Sequence, residues 1–489
     1  MDYLLLWNRF RQQYPDQRGS AQKQLHACLR HAIQQGTLAS GTRLASSRTL
    51  AQELGIARNT VVFAYEQLLS EGFLTATRRG SVVNSLELMQ EVAAVAPAEV
   101  PSRRLSKRGD SLMPLPVPSD LTTAFAPGVP SLADFPMPRW RKMLEQEWRN
   151  ASAADLGYGQ ACGEMSLRIA IADYLRASRG VLCDPEQVFI TDGTQSSLDL
   201  CARVFADVGD KVWIENPGYV GAQVAFRGAQ LKMVGIAVDD DGIAPKASDW
   251  RTHTPRLIYV TPSHQYPTGK VMSLPRRLEL LKQAQHHQSL IIEDDYDSEF
   301  RHDGPPLPAM QGLVPNAPVL YLGTFSKTLF PAIRIAYIIA PRDVLPAFEQ
   351  HLLRSFLRGR SVEQRCLARF VSEGYFAQHI RRMRRLYRER RDTLVDALQR
   401  HMSNEVEIHG DLAGMHLAIR FRDSMMDDVA VSRAALAAGI VAPALSLHKV
   451  GQRQNDWCGL MLGYAQVPSE QMEAQVRKLA RILAVHARV

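Results

Sequence analysis

Lys327 stands in Gly323-Thr324-Phe325-Ser326-Lys327, directly after the apolar run at residues 319–322. An amine there, among small hydroxyl residues, is either a snorkelling surface group or a partly desolvated one. The desolvated amine has a lowered pKa that suits condensation with an aldehyde. Glu293-Asp294-Asp295-Tyr296-Asp297 follows a second apolar run, and Asp192-Gly193-Thr194-Gln195-Ser196 follows a third and opens a helical pattern. Free backbone N–H groups at such an opening suit a phosphate. Pyridoxal phosphate needs a lysine for its aldehyde, a carboxylate for its ring nitrogen, a donor for its phenolic oxygen and a cradle for its phosphate. Lys327, Asp294, Tyr296 and the set Gly193, Thr194, Ser326 and Arg334 supply all four, each from a strand end. Their coincidence predicts this cofactor more strongly than any one residue does.

The runs themselves are Val188-Phe189-Ile190-Thr191, Val212-Trp213-Ile214, Leu257-Ile258-Tyr259-Val260, Leu290-Ile291-Ile292 and Val319-Leu320-Tyr321-Leu322. Near-continuous apolar strands alternating with helical patterns predict an α/β fold with a mostly parallel sheet covered on both faces. Ligands of such sheets collect at the carboxyl ends of the strands. Two further strand ends carry Glu215-Asn216-Pro217-Gly218-Tyr219, where the tyrosine is either a flat ring for a ligand or part of the core, and Thr261-Pro262-Ser263-His264-Gln265-Tyr266-Pro267-Thr268-Gly269. The adjacent carboxylates Glu293, Asp294 and Asp295 demand a compensating cation or proton for at least one of them.

Residues 1–83 hold ten Lys/Arg and five Asp/Glu, a net of +5 out of +8 for the whole chain. Leu25, Leu29 and Ile33 recur at helical spacing up to Gly36; Ser46 or Ser47 caps a short helix that ends at Gly55; a third helix begins near Arg58. Phe73-Leu74-Thr75 and Ser81-Val82-Val83 flank the basic tip Arg78-Arg79-Gly80. Two short helices about a glycine turn, the second led by Arg58, Asn59 and Thr60, match helix-turn-helix geometry, in which arginine reads guanine and asparagine reads adenine. A three-helix protein-binding module with a charged face is the alternative. Between about residues 84 and 121, Pro97, Pro101, Pro114, Pro116 and Pro118 accompany the basic cluster Arg103, Arg104, Lys107 and Arg108, which predicts a linker of intermediate stiffness.

A chain of 489 residues with 46% hydrophobic and 22% charged residues is globular in composition and long enough for two to four domains. Its six scattered cysteines fit reduced thiols in the cytoplasm, with no spacing suited to zinc. The apolar stretch at residues 3–7 is too short for a signal peptide, and the run at 333–341 is too short to span a bilayer.

The strings Arg43-Leu44-Ala45-Ser46-Ser47-Arg48, Arg58-Asn59-Thr60-Val61 and Leu68-Leu69-Ser70-Glu71-Gly72-Phe73-Leu74 resemble the GntR-type winged helix-turn-helix. From about residue 121 onward, Tyr158-Gly159, the Ser263–Gly269 turn, the Glu293–Arg301 string and Ser326-Lys327-Thr328-Leu329-Phe330-Pro331 resemble a fold-type I aminotransferase. The combination resembles the MocR/GabR family of transcription regulators. The resemblance implies a winged head over 1–84, a linker over 85–120 and an aminotransferase-like domain over 121–489, with a small subdomain from about 345. It implies that Arg43, Ser47, Arg48, Arg58, Asn59, Thr60 and Gly80 face operator DNA. It further implies that Lys327 takes the aldehyde, Asp294 pairs with the ring nitrogen, Tyr296 bonds the phenolic oxygen, and Tyr219 stacks on the ring. Gly193, Thr194, Ser326 and Arg334 would hold phosphate, and Tyr158 would reach the site of a neighbouring subunit in a homodimer.

Three features depart from that pattern. Ala57 replaces a usual serine cap, and Tyr266 replaces the asparagine before Pro-Thr-Gly, which alters the surroundings of the phenolic oxygen. No arginine clamp for a carboxylate stands near Gly221 or at Leu460-Met461-Leu462-Gly463, although Arg453 is close in sequence. The expected function is a cytoplasmic DNA-binding regulator that senses an amine, an amino acid or pyridoxal phosphate itself, with at most partial transamination. The alternatives are a working aminotransferase with a DNA-binding attachment and a repressor that uses the domain only to dimerise. The arginines at 381, 382, 384, 385, 388, 390 and 391 form either a solvated, ion-paired helix face or a supplementary DNA surface.

Overall fold

The computed structural model describes residues 1–15, 19–78, 80–85, 106, 109, 123–302, 307–355, 359–450 and 457–486. The expected linker, Arg79 and Arg453 therefore lie outside the described residues, apart from isolated positions of the linker. The chain divides into two compact units, 1–104 and 105–489.

In the first unit the helices Ala21–Gln34, Ser47–Leu54 and Arg58–Ser70 precede a hairpin of β1 (Leu74–Thr77) and β2 (Gly80–Val83). Ser46 caps the second helix, its hydroxyl accepting from the Thr49 amide at 3.1 Å, and Gly55 ends it at φ +65°. That φ lies in the left-handed region, which glycine enters without a Cβ penalty. A further helix, Tyr3–Gln13, was not foreseen. Its signal was present: Tyr3, Trp7 and Phe10 recur at helical spacing and are buried with Leu50, Leu54 and Leu68 in one core.

The second unit is built on an eight-stranded sheet. Its strands are β3 (Val188–Thr191), β4 (Lys211–Asn216), β5 (Lys232–Asp239), β6 (Gly242–Ile243), β7 (Leu257–Val260), β8 (Leu290–Asp295), β9 (Val319–Thr324) and β10 (Ala336–Ile339), in the spatial order β3-β10-β9-β8-β7-β4-β5-β6. The pairs from β9 through β8, β7 and β4 to β5 are parallel, in line with the mostly parallel sheet expected, although β5 was not among the runs read as strands. The β10 strand is antiparallel to both neighbours. Because successive side chains of a strand point to opposite faces, each strand feeds two cores. Ile291 joins Trp213, Ile258 and Tyr321 beneath the helices Met165–Arg179 and Leu274–His286. Ile292 joins Ile214, Tyr259 and Leu320 beneath Thr194–Phe205 and Val220–Gly228.

A second, antiparallel sheet of β11 (Val406–His409), β12 (His416–Phe421) and β13 (Gly459–Gly463) follows the long helix Tyr375–Met402. The arginines of that helix are largely occupied within the fold. Arg384 and Arg388 donate to the carbonyls of Glu299 and His302, Arg390 donates to that of Ala465, and Arg391 donates to that of Asp411 at 2.8 Å. Arg382 meets Asp134 at 2.7 Å. A helix face so engaged is a structural clasp, which favours the ion-paired alternative over a DNA surface.

Candidate cofactor and DNA sites

The expected cofactor residues converge at the carboxyl ends of β3, β4, β7, β8 and β9. Alternation along β8 divides the three carboxylates between the two faces. Asp295 forms a buried ion pair with Arg179 at 2.8 Å and accepts from the Tyr321 hydroxyl at 2.5 Å. Glu293 accepts from the amides of Met310 and Gln311 at 2.9 and 3.1 Å, and burial pushes its pKa up to about 7. Asp294 lies on the other face, where its Oδ2 accepts from the Tyr259 hydroxyl at 2.8 Å. Its Oδ1 is buried with no hydrogen-bond partner. Burial pushes the Asp294 pKa up to about 7, only partly offset by the Tyr259 bond. A buried acceptor left unpaired costs about 1–3 kcal/mol, so this carboxyl is built for a donor.

Lys327 is half-buried, and its Nζ donates to the Gly128 carbonyl at 2.7 Å. Desolvation lowers its amine pKa, opposed by the charges of Asp297 and Asp294. At the expected phosphate cradle the backbone closely approaches a guanidinium. Gly193 has φ +116°, and a Cβ there would lie 3.2 Å from the guanidinium carbon of Arg334. Thr194 opens the helix Thr194–Phe205 immediately afterwards, and Ser326 is half-buried beside Lys327. Tyr219 precedes Val220–Gly228, and its ring stands 5.2 Å from that of Tyr266. A Cβ on Gly221 would lie 2.5 Å from the Tyr219 ring, so the position that lacks an arginine is one that the tyrosine requires to be small.

Tyr296 donates to the His264 carbonyl at 2.8 Å, and its hydroxyl is 3.2 Å from the His264 Nδ1. That nitrogen is in turn 3.1 Å from the Asp297 Oδ2. His264, Asp297 and His416 are all buried and bring ligand-type atoms within 4.8 Å of one another, a grouping that the sequence spacing did not suggest. Burial drives the His416 pKa well below the ordinary histidine value, so its ring is neutral. Tyr266 packs among Tyr219, Tyr296, His416 and His448, and Met461 stands near it in an apolar cluster with Ala418 and Leu445. Tyr158 is 75% exposed. Tyr259 and Gly128 were missed, since neither stands in a polar motif.

In the head, Arg43 pairs with Val82 in an antiparallel bridge, and a Cβ on Gly80 would lie 3.3 Å from the Arg43 Nε. Arg58 donates to the Ser47 hydroxyl at 3.4 Å, while Arg48 and Asn59 are exposed. Thr60 is the exception. At 8% exposure its side chain turns into the domain, and it does not join the face expected for it. Ala57 occupies the cap of Arg58–Ser70 without a side-chain bond, as its residue type dictates.

A model of the gntR family of bacterial regulatory proteins matches residues 21–83, and one of aminotransferase class I and II matches residues 124–479. The probable rhizopine catabolism regulatory protein MocR of Rhizobium meliloti is 40% identical over 468 residues, covering 94% of this chain and 92% of that protein. The chain belongs to the MocR-type family of HTH-type transcriptional regulators. A second member, the pyridoxine biosynthesis regulator PdxR of Corynebacterium glutamicum, is 32% identical, covering 92% of this chain and 93% of its own. Among solved structures, the α-aminoadipate aminotransferase LysN of Thermus thermophilus, complexed with N-(5'-phosphopyridoxyl)-L-leucine, matches with TM-score 0.71. It is 27% identical, covering 78% of this chain and 98% of its own. MocR-type architecture makes the chain a transcription regulator with a DNA-binding head and an aminotransferase-like domain. No helix among the described residues is long and apolar enough to cross a membrane.

Proposed function

We propose that this regulator binds operator DNA through Arg43, Ser47, Arg48, Arg58, Asn59 and Gly80, and senses pyridoxal phosphate, or an amine that reacts with it, at Lys327. The reading rests on Asp294, a fully buried carboxyl with one oxygen bonded to Tyr259 and the other unpaired. A pyridine nitrogen carrying a proton satisfies that oxygen and neutralises its charge. When bound, the cofactor supplies an aldehyde that condenses with amines and a ring that withdraws electrons from the product. The chain's own residues would do the rest. With a pKa of about 7, Asp294 holds the proton that the ring nitrogen needs. Lys327, its amine partly desolvated, carries a reactive lone pair closer to neutral pH than an exposed lysine does. Arg334 and the Thr194 helix start hold phosphate, and Tyr219 and Tyr266 form an aromatic wall.

The effector is the cofactor itself or a small amine. The names of PdxR and MocR tie those relatives to pyridoxine biosynthesis and to rhizopine catabolism, and both kinds of signal suit this site. The exposed Tyr158 supports a homodimer in which it reaches the partner's phosphate site. Two heads on such a dimer would read paired half-sites. Sensing requires that the ligand bind the DNA-competent and DNA-incompetent arrangements with different affinity.

The deciding experiment titrates the purified chain with pyridoxal phosphate by absorbance, locks the product with borohydride, and maps the modified peptide. Modification of Lys327, together with operator affinity that changes on adding cofactor or an amine, is the expected result. Identical operator affinity under all conditions refutes sensing by this domain. Sustained turnover of an amino donor and a keto acid, lost in Lys327→Ala, would instead support the aminotransferase alternative.

A further inference from the structure

The bond from Lys327 to Gly128 joins the reactive amine to the first described stretch after the linker. Residues 123–131 follow directly on residues 110–122, which lie outside the described part of the chain. Both ends of this stretch are fixed. The Ala124 carbonyl accepts from the Val441 amide at 2.9 Å and the Phe125 carbonyl from the Gly463 amide at 2.8 Å. At the far end the Ser131 amide donates to the Tyr387 hydroxyl at 2.8 Å. Between these anchors lie Ala126, Pro127, Gly128, Val129 and Pro130, and the two prolines have no N–H to give to a ladder. The middle of the stretch is held by the Lys327 amine, 199 residues away in sequence and 2.7 Å away in space. Gly128 has φ +69°, and a Cβ at that position would lie 2.9 Å from the Lys327 Nζ. The residue is therefore fitted to the amine in both conformation and volume.

We infer that Gly128 is a positioning residue whose carbonyl holds the free amine of Lys327, so that the segment entering the sensor domain registers whether that amine has reacted. The inference rests on the aldehyde-capture reading of Lys327 and adds the route by which capture is felt. Condensation joins Nζ to the aldehyde carbon, and both amine hydrogens leave with the aldehyde oxygen as water. The nitrogen then no longer donates to the Gly128 carbonyl, and residues 126–130 lose their central tie. An amine effector that displaces Lys327 from the carbon returns the free amine, and with it the tie. The signal is thus the presence or absence of one hydrogen-bond donor at a fixed place.

Hydrogen exchange of the full-length chain tests this without any measurement of activity. In the cofactor-free protein, Lys327→Met keeps an unbranched side chain, one heavy atom shorter, and removes the donor, while Lys327→Arg keeps donors and cannot capture an aldehyde. Exchange at the Gly128 and Val129 amides should rise about 5- to 10-fold in the Met variant, the loss expected for one hydrogen bond. The Arg variant should stay near the wild type, and a peptide covering β8 should be unchanged in all three. If Lys327→Met does not fold, the unreduced wild type saturated with pyridoxal phosphate gives the same reading, with capture at Lys327 confirmed by borohydride and mass mapping of a parallel sample. Equal exchange in the Met, Arg and wild-type proteins overturns the inference, as does unchanged exchange in a chain whose Lys327 adduct is confirmed by mass. Failure to capture the aldehyde at all sinks the sensing proposal instead and leaves the cofactor-free comparison intact.

Discussion

Replacing Asp294 by Asn should move two properties in opposite directions. In the cofactor-free chain this carboxyl ionises only near pH 7, against an ordinary value of 3.8, because burial penalises the anion. A rise from 3.8 to about 7 means that ionised Asp294 opposes folding by about 4 kcal/mol at pH 8, at 1.36 kcal/mol per tenfold change. A carboxyl whose pKa is raised in the folded state leaves stability intact below its unfolded pKa and removes it as pH climbs through the folded value. The penalty should therefore be small at pH 4 and nearly complete by pH 8. Asparagine has no such penalty but buries an amide that lacks a partner, at about 1–3 kcal/mol. The net expectation for Asp294→Asn without cofactor is a gain of about 1–3 kcal/mol at pH 8 and a loss at pH 4. Cofactor binding should weaken in the same variant, because a hydrogen bond to a charged ring nitrogen is worth about 1.5–3 kcal/mol. That corresponds to about 10- to 150-fold in Kd. Denaturant unfolding followed by tryptophan fluorescence at pH 4 and pH 8, alongside absorbance titration with pyridoxal phosphate, measures both. A variant less stable than wild type at pH 8, or one with undiminished cofactor affinity, would refute the assignment of this carboxyl.

The remaining predictions concern the other parts of the site and the two basic surfaces. Gly193→Ala combines a strained φ of +116° with a Cβ 3.2 Å from the Arg334 guanidinium, so it should displace that arginine. The preference for pyridoxal phosphate over pyridoxal should then fall by about 10-fold, the order expected for one lost charge-assisted hydrogen bond, in competing absorbance titrations. In the head, Arg48→Ala and Arg58→Ala should each reduce the slope of log affinity against log salt by about 1 if each contacts a phosphate. Asn59→Ala should instead cost about 1–3 kcal/mol at a single base pair and relax specificity there, as read from binding to an operator series. Finally, Arg384→Ala and Arg388→Ala leave the Glu299 and His302 carbonyls without their donors. Each should lower stability by about 1–2 kcal/mol while leaving operator affinity unchanged.

Residues that act locally were legible in the sequence. Ser46 and Gly55 mark a helix because a cap and a left-handed turn are decided by a few neighbouring atoms. The Ser326-Lys327 string and the carboxylates of β8 declare their chemistry within a handful of positions. What the sequence concealed depends on distant partners. Tyr259 reads as one more apolar strand residue until its hydroxyl meets Asp294, and Gly128 as a turn glycine until Lys327 reaches it. The β10 strand was hidden for a different reason: its apolar run shows burial but carries no mark of direction, and only pairing with β3 and β9 makes it antiparallel. Thr60 shows the reverse limit. A motif places it among DNA-facing residues, while its position in the third place of a helix turns its side chain inward.

The division of labour along β8 also determines which genetic changes this regulator can tolerate. Val260 is aligned with Glu293, and Leu322 with Asp294. Losing or gaining one residue just upstream would invert the ladder, offering the ring nitrogen a carboxylate already matched to Arg179 or one tied to backbone amides. The displaced Asp294 would then take the place of Asp295 beside Arg179 or that of Glu293 beside the Met310 and Gln311 amides, while every apolar residue of the strand turns to the opposite face. Short insertions and deletions ahead of this strand should consequently abolish sensing and folding together, whereas point substitutions can separate them.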